Sequence, residues 1–128
     1  MIFVDTNFFV RFLLKDNDQQ YLIAKKLFEE AAQKKIRLTT SLVVFFEIVW
    51  VLRSSYGKDR QALADSLYKI LKLDFELAER KLLIESLNIF QKTALSFEDC
   101  YNLVFAKIRG IKEFKTFDAK LNREFEKL

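Results

Sequence analysis

Met1-Ile2-Phe3-Val4-Asp5-Thr6-Asn7 opens the chain, and its reading decides the fold. Ile2-Phe3-Val4 is a short apolar, β-prone run, which suits a strand buried on both faces of a parallel sheet. It ends on an acid, and the period then changes at once, because Phe8, Phe9, Phe12 and Leu13 recur at helical spacing and stop at Lys15-Asp16-Asn17. Tyr21 to Ala31 again has helical spacing, Ile36 to Thr40 reads as a second short strand, and Ser41 to Tyr56 as a long helix stopped by Gly57. Arg60 to Leu73 is amphipathic, with Leu63, Leu67, Ile70 and Leu71 on one side, and a weak strand is expected around Phe75-Glu76-Leu77. Glu79 to Phe90 and Ser96 to Arg109 follow as helices, the latter stopped by Gly110. Glu113 to Phe117 reads as a strand and Asp118 to Lys127 as a final helix. Strands alternating with helices imply an α/β fold, a parallel sheet with helices on both faces. No linker, repeat or low-complexity segment interrupts residues 1–128, so the expectation is a single domain.

Composition narrows the chemistry. Half of the 128 residues are hydrophobic (51%), enough for a sizeable core. With glycine only at 57 and 110, neither a Walker loop nor a GxGxxG fingerprint can be written. There is no histidine, which removes Ser-His-Asp and Cys-His machinery and imidazole zinc sites. The lone Cys100 removes disulfides and thiolate clusters, and fits a reducing compartment. A net charge of +4 is compatible with a polyanionic partner without requiring one. Asp5 spoils a signal-peptide start, and the longest uncharged run, Leu38 to Phe46, is too short to span a bilayer. A cytoplasmic protein with no membrane role is expected. If the chain does chemistry, carboxylates do it.

Four acids stand out. Asp5 follows a strand and is either the N-cap of the next helix or a metal ligand at a strand end. Glu47 lies between Val43-Val44-Phe45-Phe46 and Ile48-Val49-Trp50-Val51-Leu52, in a helix apolar all round and so expected to be buried all round. A carboxylate there must be protonated, paired with a Lys or Arg, or bound to a cation. Asp99 sits three residues after Ser96, a capping-box-like pair that explains it without function. Asp118 follows Thr116-Phe117 and could simply cap the last helix, while the Thr116 hydroxyl could orient a carboxylate there. Each has a bland explanation; together they fit a hard cation such as Mg²⁺ or Mn²⁺, which takes carboxylate oxygens, and the phosphodiester hydrolysis such clusters serve.

Taken together, Met1-Ile2-Phe3-Val4-Asp5-Thr6-Asn7, Ser41 followed by Glu47, Ser96-Phe97-Glu98-Asp99 and Thr116-Phe117-Asp118 resemble PIN domains, and among them the VapC-type toxin ribonucleases. The likeness runs from Ile2 to about Phe125. It implies a three-layer α/β/α sandwich around a short parallel sheet, and an Mg²⁺- or Mn²⁺-dependent endoribonuclease whose acidic tetrad falls on Asp5, Glu47, Asp99 and Asp118. Thr6 and Asn7 match the family's strand-end element, Thr116 its hydroxyl residue before the last acid, and Ser41 a small polar residue ahead of the glutamate. It also implies homodimerisation and an antitoxin partner that inserts a segment near the metal site. Many relatives add a strand after the last helix, where this sequence stops, so a sheet of four strands, or five, is expected.

Substrate contacts are less marked. Arg11, one turn after Asn7, is a candidate phosphate contact or an ordinary helix-surface charge. Lys107 and Arg109 read as surface charges, and no run of basic residues interleaved with aromatics appears. Trp50 and the fourteen phenylalanines read as core. Two rival enzymes fit poorly: a haloacid-dehalogenase-type phosphatase wants a second acid where Asn7 stands, and a receiver domain wants paired N-terminal acids. A catalytically inactive PIN-like module that binds RNA or a protein is the alternative from another class.

Overall fold

The structure, a computed structural model, describes residues 1–57 and 59–128. Along the chain run β1 (Ile2–Phe3), α1 (Thr6–Leu14), α2 (Asp18–Ala32), β2 (Leu38–Thr39), α3 (Leu42–Tyr56), α4 (Arg60–Leu71), α5 (Arg80–Lys92), α6 (Phe97–Ile108) and α7 (Ala119–Glu126). The architecture is mixed α/β with helices dominant. It divides into two compact units, Met1–Glu79 and Arg80–Leu128. No helix among the described residues is long and apolar enough to cross a membrane.

The helix starts follow from local chemistry. A first turn leaves backbone N–H groups without partners, and short polar side chains supply the missing acceptors. Asn17 accepts from Gln20 N at 3.0 Å, Ser41 from Val44 N at 3.2 Å, and Asp59 from Ala62 N at 3.0 Å. The end of α6 is a Schellman turn: Gly110 (φ 65°) donates to Lys107 O, and Ile111 donates to Ala106 O at 3.0 Å. A left-handed residue is required there, and glycine takes it without strain.

In the first unit, β1 and β2 pair in parallel with Ile2 opposite Leu38 and Phe3 opposite Thr39. Glu76 extends the ladder by one residue on the far side of β2, donating to Leu38 O at 2.8 Å and bridging to Thr39. The expected strand at 75–77 is therefore a single bridge. Beside it, the Arg37 guanidinium is hydrogen-bonded to Glu76 at 2.5 Å, and that bond, then the Glu76 charge, holds it above its ordinary pKa. Phe9, Phe45, Ile48, Leu52, Leu67 and Ile70 are fully buried. The Phe9 ring lies 5.3 Å from that of Phe28 and 5.3 Å, edge-on, from that of Phe75, tying α1 to α2 and to the segment leading to Glu76.

In the second unit, α5 packs on α6 through Leu83, Leu87, Phe97 and Leu103. Phe90 and Phe97 meet edge to face at 6.0 Å. The strand expected over Glu113–Phe117 does not form. Among the described residues the sheet has two strands, β1 and β2, with Glu76 added only as a single bridge, where four or five strands were expected. The segment is satisfied locally instead: Phe114 stacks on Phe125 of α7 at 5.0 Å, and the Thr116 hydroxyl accepts from Asp118 N at 3.0 Å. What survives of strand character is the alternation, with Glu113, Lys115 and Phe117 exposed and Phe114 and Thr116 half-buried.

Candidate carboxylate site

The carboxyl end of β1 is built by hydroxyls. Thr40, buried, donates to Val4 O at 2.7 Å and fastens the exits of β1 and β2 to each other. Sequence reasoning passed over Thr40; its signal was a second hydroxyl residue between the strand and the Ser41 cap. Directly after Val4, Asp5 caps α1, its Oδ1 accepting from Thr6 N at 2.8 Å. Thr6 is buried, and its Oγ1 donates to Glu47 Oε2 at 2.7 Å. One threonine thus holds two acids that lie 42 positions apart, with its N–H on Asp5 and its hydroxyl on Glu47. Ser41 enters this arrangement by capping α3, the helix that carries Glu47.

Glu47 is not buried, contrary to the sequence expectation. The helix is apolar all round but not covered all round: Val43 is 67% and Trp50 63% exposed, on the same face one turn to either side. Leu42, Val43, Phe46 and Trp50 wall a cleft of about 400 Å³ with Glu47 in it. Among the described residues Glu47 has no Lys or Arg partner, the alternative the sequence left open. Trp50 is a surface residue rather than core, as is Phe117, while Phe3, Phe8 and Phe105 are only partly covered. Trp50→Ala is accordingly expected to change stability by no more than about 0.5 kcal/mol in chemical denaturation, whereas a core tryptophan would lose about 3–5 kcal/mol.

In the second unit, Ser96 caps α6 by accepting from Asp99 N at 3.1 Å, and the Asp99 carboxylate is half-buried in the first turn. Asp118 caps α7, accepting from Lys120 N at 2.9 Å and Leu121 N at 3.1 Å. The capping explanations of Asp5 and Asp118 are thus real, and Ser96 caps the turn that carries Asp99. They do not exhaust the acids. Asp5, Glu47, Asp99 and Asp118 have no Lys or Arg partner among the described residues, although the net charge is +4 and other surface acids do pair.

Unneutralised carboxylate oxygens are the donor chemistry a hard divalent cation takes. Among the described residues, however, no three or more Asp, Glu or Cys side chains are drawn together closely enough to hold an ion. The first unit brings Asp5 and Glu47 together through Thr6; the second holds Asp99 and Asp118. Asn7 and Arg11 do line one cleft, with Phe8, Gln20 and Ile23, of about 290 Å³. Arg11 is occupied there: Nη1 contacts both Asp16 carboxylate oxygens (3.0 and 3.1 Å) and Nε the Gln20 carbonyl at 2.7 Å.

Comparison with known proteins gives the arrangement a context. A protein called VapC ribonuclease, from Aquifex aeolicus (strain VF5), is 31% identical over 129 aligned residues, spanning 100% of this chain and 92% of that protein. No solved structure matches the chain. The model of the PIN domain family matches residues 2–124. That match starts in β1, ends in α7 and takes in all four acids, and the chain belongs to the PIN domain family.

Proposed function

We propose that the chain is a divalent-metal-dependent endoribonuclease, the toxin of a type II toxin-antitoxin pair, which hydrolyses RNA phosphodiester bonds at Asp5, Glu47, Asp99 and Asp118. The observation carrying this reading is that these acids, all inside the stretch matched by the family, have no Lys or Arg among the described residues to neutralise them. The 31% identical relative named a ribonuclease supports the substrate class. The reading takes the two units as parts of one PIN domain over 1–128, with the α/β/α layering the family resemblance implies. It also carries a homodimer, an antitoxin partner and a cytoplasmic location.

The four carboxylates would hold one or two Mg²⁺ or Mn²⁺ ions. Such an ion supplies a water of lowered pKa and positive charge for the phosphate oxygens. The protein's part is to aim the donors. Thr6 fixes Glu47 through its hydroxyl and Asp5 through its N–H, Thr116 fixes the backbone entering Asp118, and Asn7, two residues after Asp5, lines the cleft that also holds Arg11. Arg11 serves as a phosphate contact when it exchanges Asp16 for the substrate.

Thr6→Val keeps the shape and removes the hydroxyl. It is expected to slow cleavage about tenfold, the scale of a lost orienting contact, and to lower stability by about 1 kcal/mol. Initial rates and denaturation midpoints measure the two effects.

The deciding experiment is cleavage of a mixed RNA pool in Mg²⁺ or Mn²⁺, with and without EDTA, beside a folded Asp5→Asn preparation. Cleavage lost in both EDTA and the variant is the expected result; equal cleavage by both proteins overturns the reading. A second reading, a catalytically inactive module that binds RNA or protein, is favoured by the absence, among the described residues, of three converged carboxylates. It predicts no cleavage by purified, antitoxin-free protein in any divalent metal.

A further inference from the structure

Contrary to the sequence reading, the stretch from Tyr101 to Phe117 in the second unit does interleave basic and aromatic residues, and three of them stack on one another. On α6, Phe105 and Arg109 are four residues apart and share a face. The Arg109 guanidinium lies over the Phe105 ring, 4.3 Å from its centroid, and the Tyr101 ring follows at 6.3 Å. Arg109 has no carboxylate partner among the described residues. Beyond the Gly110 turn the chain carries Lys112 and Lys115, and Lys107 precedes it, all exposed. Between residues 105 and 117 these cations face a single acid, Glu113, which contacts Lys115 at 3.2 Å.

Phe117 completes the set. Its relative exposure is 110%, so the whole ring stands in water, directly before Asp118. The backbone beneath it is held on both sides: Phe114 is stacked on Phe125, and Thr116 accepts from Asp118 N. A fixed backbone presenting a bare aromatic ring forgoes the stabilisation that burial would give. A single exposed ring is ordinary on a protein surface; what sets this one apart is its place among the cations of the same stretch.

We infer that the Tyr101–Phe105–Arg109 face of α6, with Lys112, Lys115 and Phe117 of the segment that follows it, is a docking surface for single-stranded RNA. The inference rests on the ribonuclease reading and adds where the strand lies. The cations suit the phosphates, but cations alone would take any polyanion. The rings are the selective part, because they need base faces, and a duplex hides its base faces in its own stack. Every base has such a face, so the surface tolerates sequence. Phe117 places one stacked base next to Asp118.

The test is fluorescence anisotropy with a short fluorescein-labelled single-stranded RNA of mixed sequence, in EDTA so that binding is read without cleavage. Phe117→Ala and Phe105→Ala are each expected to weaken binding on the order of tenfold. Phe117→Leu should behave as the alanine variant and Phe117→Trp as wild type, because the ring and not the apolar volume is used. Arg109→Ala should weaken binding and lower the salt dependence by about one phosphate contact. Phe117 is fully exposed, so its variants keep the fold.

Wild-type affinity in the phenylalanine variants overturns the inference, as does equal affinity for the matching duplex with equal losses. Self-association broken by Phe105→Glu with unchanged RNA affinity also overturns it, assigning the face to a protein contact. Metal-dependent cleavage that survives such a result leaves the ribonuclease reading standing. RNA binding that follows these variants in a protein that never cleaves removes that reading and keeps the surface.

Discussion

Asp5→Asn is expected to lower metal-dependent RNA cleavage on the order of a hundredfold or more, the scale lost when one preorganised electrostatic contact is removed. Asp5 is a helix cap and, in the proposed reading, also a cation ligand, and this substitution separates the two. As a cap it accepts Thr6 N at 2.8 Å, which an amide oxygen does as well, so stability should change by only a few tenths of a kcal/mol. As a cation ligand it contributes a charge, and the amide contributes none. Asp5→Ala would forfeit both and lose about 1 kcal/mol besides, leaving the cause ambiguous. Initial rates in Mn²⁺ beside a denaturation curve measure the split. A variant that cuts at the wild-type rate reduces Asp5 to a helix cap. The same reasoning makes Asn the informative choice at Asp118, which caps α7 through two backbone bonds.

The place of Asp5, Asp99 and Asp118 at helix starts explains why these acids were readable in the sequence while their surroundings were not. Strand-end and first-turn acids mark element boundaries, and local chemistry sets those boundaries. Ser41, Ser96 and Asp118 cap the helices predicted to start at or beside them, and Gly57 and Gly110 sit at positive φ where stops were expected. Burial depends on what packs against an element, and periodicity is silent about that. Val43 and Trp50 are apolar, yet their face of α3 is uncovered, so the inference of a buried Glu47 failed although its helix was right. Sheet membership failed for a related reason. A strand exists only with a neighbour, and Glu113–Phe117 uses its Phe114 ring and Thr116 hydroxyl within its own unit. The Phe105–Arg109 stack was legible only as an i, i+4 spacing, and nothing in that spacing says the face is open.

Phe9→Ala is expected to destabilise the protein by about 3–5 kcal/mol. That is a large share of the roughly 5–15 kcal/mol that holds a native domain. Phe9 is fully buried, and its ring meets Phe28 and Phe75 at 5.3 Å each. Truncation therefore leaves a cavity and also loses edge-on and tilted ring contacts, worth about 0.5–1.5 kcal/mol per pair. Phe9→Leu refills part of the volume without the ring geometry and should lose noticeably less, which separates cavity from aromatic contact. The effect reaches the site as well. Phe9 is one turn beyond Asp5-Thr6-Asn7 on α1, and the helix it anchors holds Thr6 against Glu47 at 2.7 Å. Below its lowered melting temperature, the leucine variant should still cut RNA, with a rate loss no larger than that of Thr6→Val. Denaturation and initial rates at one low temperature test this. Wild-type stability in Phe9→Ala would mean that α1 is held by something other than this aromatic cluster, and the placement of Thr6 would lose its physical support.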